Sequence, residues 1–96
     1  MACYFLAVMQ VHDADQFARY QAETIKVLAP IEFQRIAVTT KFTVQEDRSD
    51  ATDLVLLKFP DDTEFKKWWE SSEYAAVKPL RENSAKVLLA LTVDGD

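Results

Sequence analysis

Few side chains in this sequence are equipped for chemistry, which narrows what the chain can do. His12 is the only histidine. It stands between an apolar run and an acidic helix start, and an imidazole titrates close enough to neutrality to serve as a base or proton shuttle. No pattern supplies an orienting carboxylate, because Asp13 is committed to capping, so the competing reading is a solvent-facing loop residue. Lys58 breaks the apolar run LVLLKF and is the most anomalous charge in the chain. Desolvated, its ammonium would bind an anion or titrate low; near a strand end it snorkels to water instead. Arg35 offers a guanidinium for a carboxylate, or for a surface or interface ion pair. Tyr20, Trp68 and Tyr74 suit the wall of an aromatic pocket with polar edges, and equally suit the packing stripes of a core.

Other chemistries are excluded. Cys3 is the only cysteine, so it has no internal disulfide or metal-site partner, and no cationic neighbour favours its thiolate. It reads as a small buried hydrophobe. Gly95 is the only glycine, which removes glycine-dependent phosphate cradles. No cofactor and no metal is expected. A net charge of -5 argues against nucleic acid, whose backbone demands a clustered positive surface. No basic amphipathic helix or long apolar run suits a membrane. With no leader-like segment, a cytoplasmic protein is the default.

Positioning these groups falls to one domain spanning residues 1–96. Residues 3 to 11, CYFLAVMQV, are apolar on both parities and read as a strand buried on both sides. Asp13 with Gln16 caps a first helix, whose stripe is Phe17, Tyr20, Thr24, Val27, Leu28 and Ile31, ending near Pro30. Phe33 to Gln45 reads as the most polar strand, suited to an edge. Glu46 to Asp53 reads as a solvated loop, and Leu54 to Phe59 as a second doubly apolar strand ended by Pro60. Asp61 with Glu64 caps a helix buried through Phe65, Trp68 and Trp69, and Ser71 or Ser72 starts another carrying Tyr74, Val77 and Leu80. Glu73 and Arg81 read as stabilising that helix region. Val87 to Val93 forms a third doubly apolar strand.

This order predicts a ferredoxin-like βαββαβ fold, an α+β architecture in which two helices cover one face of an antiparallel four-stranded sheet. Right-handed crossovers place the first and third strands centrally. Helices can cover only one face, yet three strands are apolar on both. The bare face predicts a homodimer packed sheet to sheet.

The run KFPD, then WWESSEY, then PLR resembles the bacterial domain-of-unknown-function family thirteen-thirty. The matching residues are Phe59, Pro60, Trp68, Trp69, Ser71, Glu73, Tyr74, Pro79, Leu80 and Arg81, joined by Tyr4, Phe17, Ala18 and Tyr20. The resemblance implies the dimeric α+β barrel fold, with a ligand cavity between sheet and helices. It implies no agreed activity, since the wider superfamily spans cofactor-free monooxygenases, isomerases and proteins without catalysis. The chain departs from the family where members carry His-Gly-Gly-Arg; here Ile31, Glu32, Phe33 and Gln34 stand, with Arg35 one place beyond the expected arginine. A one-residue shift in a strand reverses the face.

The function expected is binding of a small hydrophobic or aromatic molecule, with His12, Tyr20, Arg35, Lys58, Trp68 and Tyr74 as candidate contacts. The alternatives are a cofactor-independent isomerase or monooxygenase-like enzyme acting on a small acid or phenol, and a structural dimer without ligand.

Overall fold

The strands and helices follow the expected order, with β1 at Ala2–Val11, α1 at Ala14–Leu28, β2 at Gln34–Thr39, β3 at Asp53–Phe59, α2 at Asp62–Trp69, α3 at Ser72–Glu82 and β4 at Ala85–Gly95. The computed structural model describes residues 1–46 and 49–96. Asp47 and Arg48, in the expected solvated loop, lie outside the described residues. The sheet is antiparallel with order β2-β3-β1-β4, so the two doubly apolar strands β1 and β3 occupy its centre.

Each helix starts where a short polar side chain satisfies a free backbone donor. Asp13 accepts from the Gln16 amide at 3.0 Å, Asp61 from Glu64 at 2.9 Å and Ser71 from Tyr74 at 3.0 Å. Ser71 also donates its hydroxyl to the Trp68 carbonyl at 2.7 Å, which joins the end of α2 to the start of α3. The core forms where α1, α2 and α3 meet the face of β1 that carries Cys3, Phe5, Ala7 and Met9. Burial, with the charges of Asp62, Asp94 and Asp61 nearby, pushes the Cys3 thiol above its ordinary range, so it packs as a neutral hydrophobe.

One expectation needs correction. The polar strand stops at Thr39 and does not run to Gln45. Its pairing ends at Thr39 with Leu54, and the next residue back along β3, beyond Asp53, is already engaged elsewhere: the Thr52 amide donates to the Met9 carbonyl and its hydroxyl accepts from the Val11 amide. At that point the Lys41 amide turns back to the Thr39 hydroxyl, a local bond that competes with continuing the ladder. β4 leaves apolar side chains bare, as strands apolar on both faces beneath a single helical layer predict. It is an edge strand, and Leu88, Leu89, Leu91 and Val93 are exposed in the chain taken singly.

The face turned away from the helices carries three cross-strand rungs. They are Gln34–Lys58–Tyr4–Val93, Ala37–Leu56–Leu6–Leu91 and Thr39–Leu54–Val8–Leu89. Four strands and three rungs span roughly 14 Å by 14 Å between Cα positions, before side chains widen the patch. That reaches the scale of several hundred Å2 at which exposed apolar surface marks an interface.

Candidate functional site

Between the sheet and its helices lies a cavity of about 380 Å3. Phe5, Ala7 and Met9 of β1 and Val55 and Leu57 of β3 form its floor, and Phe17, Tyr20, Thr24 and Leu28 of α1 form its roof. Exposed Ile25 and Arg35 mark the open side, whereas Trp68 and Arg81, 2% and 8% exposed, close the inner end.

Arg35 reaches this wall through a bulge. It pairs with Leu57, but Ala37 pairs with Leu56, so Ile36 is an extra residue without a partner. The insertion resets the alternation, and both Arg35 and Val38 line the cavity. The one-place offset therefore leaves the arginine on the helix-covered side.

The inner end is unusually polar for a site so apolar elsewhere. The Tyr20 and Tyr74 hydroxyls lie 2.7 Å apart, and Arg81 Nη1 donates to Tyr74 Oη at 3.2 Å. The guanidinium also rests 5.7 Å from the Trp69 ring centroid. Burial, then the adjoining Tyr20 hydroxyl, drives the Tyr74 phenol well above its usual range, while Arg81 pulls the other way. Tyr74 is therefore neutral at physiological pH. Around this pair, Thr24 Oγ1, Trp68 Nε1 and Arg81 Nε are buried without a hydrogen-bond partner among the described residues. All three side chains belong to the cavity lining.

Of the six candidate contacts, Tyr20, Arg35 and Trp68 line the cavity. Tyr74 stands behind Tyr20 and touches the site through its hydroxyl. His12 and Lys58 do not join them. His12 is exposed just beyond the C-terminal end of β1, its backbone amide bound to the Ser84 carbonyl at 2.9 Å. Lys58 lies on the outer sheet face, its ammonium 5.6 Å from the Tyr4 ring centroid. Arg81 was assigned to helix stabilisation by sequence reasoning, yet it carries the buried charge of the site. The signal was available: Arg81 follows Tyr74 by two helical turns and so shares its buried face.

Residues 2–95 match the family described as Domain of unknown function (DUF1330). The chain belongs to this family. Comparison with curated proteins finds no match for this DUF1330 chain. Among solved structures it is similar to SnoaB, described as a cofactor-independent oxygenase from Streptomyces nogalater. The TM-score is 0.74 at 13% identity, covering 99% of this chain and 93% of that one. At that identity the likeness speaks for the fold alone, the ferredoxin-like α+β arrangement. Phe59, Trp68, Tyr74 and Arg81, four of the residues on which the sequence resemblance rests, are all buried, and two of them, Trp68 and Arg81, line the cavity.

Proposed function

We propose that this DUF1330 protein is a homodimer that binds a small apolar or aromatic molecule in the cavity between sheet and helices. The observation that carries the reading is the cavity of about 380 Å3, with its apolar floor and a few convergent polar atoms. Ligand sites typically fall in the range of roughly 300–1,000 Å3 with this kind of lining. The dimer rests on the outer face, where Leu89, Leu91 and Val93 are 49%, 38% and 54% exposed and continue the apolar rungs of β1 and β3. An isologous contact would cover both copies of that face at once. The proposed setting is cytoplasmic, in keeping with a lone cysteine that has no disulfide partner.

A second reading, a cofactor-independent enzyme for a small acid or phenol, is favoured by the fold shared with an oxygenase described in those terms. Its proton-transfer step lacks support from the geometry. His12 is exposed and does not line the cavity, and burial holds the Tyr74 proton in place. A purely structural dimer would leave the cavity and its unpartnered donors without a purpose.

Two measurements test the proposal. Light scattering at micromolar concentration gives the mass of a dimer, and a monodisperse monomer defeats the quaternary claim. A thermal-shift panel of small aromatic acids, amides and phenols gives stabilisation by at least one compound. A flat panel defeats the ligand claim.

A further inference from the structure

Resting on the cavity reading above, we propose that the bound molecule is a carboxylate on an apolar or aromatic body, its oxygens held by Arg81 and Trp68 at the inner end. Arg81 is 8% exposed, and a guanidinium cannot shed its charge to suit a dry site. No carboxylate lies within ion-pair distance of it among the described residues. The ion pairs among the described residues are Lys26–Glu23, Lys66–Asp62 and Lys67–Glu64, none of which involves Arg81. Its Nη1 is spent on a neutral hydroxyl and its Nε on nothing. A buried cation therefore sits at a cavity wall with its charge unbalanced.

Trp68 Nε1 is a second unspent donor, buried in a side chain 2% exposed that lines the same cavity. Indole nitrogen and guanidinium nitrogen can donate but not accept. A hydrocarbon ring against them would leave both donors dehydrated and unmatched, which is costlier than leaving them in water. An acceptor with two oxygens and one negative charge answers both donors and the charge together. Thr24 Oγ1, also unpartnered, sits one helical turn from Tyr20 and can donate to the same group. One buried cation matches a monoanion; a phosphate dianion would remain half-compensated. The floor of Phe5, Ala7, Met9 and Leu57 then receives the apolar body.

The test compares shape-matched pairs, benzoate with benzamide and 2-naphthoate with 2-naphthamide, titrated into the intact protein at neutral pH. Affinity is read by calorimetry and contact by the tryptophan indole 1H–15N resonances, with Trp69→Phe assigning the Trp68 signal. Each acid is expected to bind about tenfold or more tightly than its amide, the scale of a charge-assisted hydrogen bond. The acid should also move the Trp68 indole resonance downfield. In Arg81→Met the preference for acid disappears while residual binding persists; Arg81→Lys, which keeps the charge, retains part of the preference. Equal binding of acid and amide overturns the anion assignment and leaves the cavity reading standing. So does an acid preference that survives in Arg81→Met. Failure of all four compounds to bind overturns both.

Discussion

The two faces of this sheet are made from alternating residues of the same strands, yet they are unfinished in different ways. On the helix side, Phe5, Phe59, Phe65 and Trp68 interlock at centroid distances of 5.3 to 6.0 Å. What is missing there is hydrogen bonding, at Thr24, Trp68 and Arg81. On the outer side, Leu6, Leu56 and Leu91 form the middle of an apolar patch with no orphaned polar atom among the described residues. What is missing there is only the exclusion of water. A face short of hydrogen bonds calls for a small molecule of definite chemistry, whereas a face short only of burial calls for another surface like itself.

Truncation at the centre of each face should separate these roles. Phe5 touches the rings of Phe65, Trp68 and Trp69, so Phe5→Ala leaves a hole that the aromatic cluster cannot close. It should cost about 3–5 kcal/mol in urea unfolding. A loss near ~1 kcal/mol would show that the helix face is already loosely packed. Leu91→Asp on the other face is expected to act through assembly. An isologous contact meets the new carboxylate twice, and dimer affinity should fall about 100-fold or more, or roughly 3 kcal/mol. Sedimentation reports this directly. A variant that sediments with the wild-type mass would show that the outer face is not the contact.

The same contrast explains how much was legible beforehand. β1 declared itself because apolar residues on both parities need cover on both sides, and that pattern also exposed the bare face. Helix starts were legible in Asp13, Asp61 and Ser71, where residue type and spacing alone satisfy the backbone. The end of β2 was not. Strand formers continue through Phe42 and Val44, but pairing with β3 ends at Thr39, where the Lys41 amide turns back to the Thr39 hydroxyl. The site was half legible for a related reason. Tyr20 and Trp68 fall on helical stripes, but Lys58 drew attention as a charge within an apolar strand while facing the outer sheet surface. Arg81 looked ordinary because a cation near a helix C-terminus has a ready local explanation. Its burial comes from the α1–α3 contact through Tyr20 and Tyr74, between residues 54 positions apart in the chain.

That contact also gives the helix side a pH signature. The Tyr74 phenol is held above its ordinary value of 10.0, first by burial and then by Tyr20. Above that value the unfolded chain releases the proton while the folded protein keeps it, so the native state binds more protons and stability falls as pH rises. Below it, the contribution is intact. The slope approaches ~1.4 kcal/mol per pH unit, giving a loss of about 1 kcal/mol by about pH 11. Tyr74→Phe is expected to be less stable at neutral pH, because Arg81 Nη1 and Tyr20 Oη lose their shared partner. Its stability should nevertheless decline less steeply than wild type across the alkaline window. Parallel alkaline slopes for the two proteins would mean that Tyr74 is hydrated, and the inner end of the cavity would then be open to water on both sides of the hydroxyl pair.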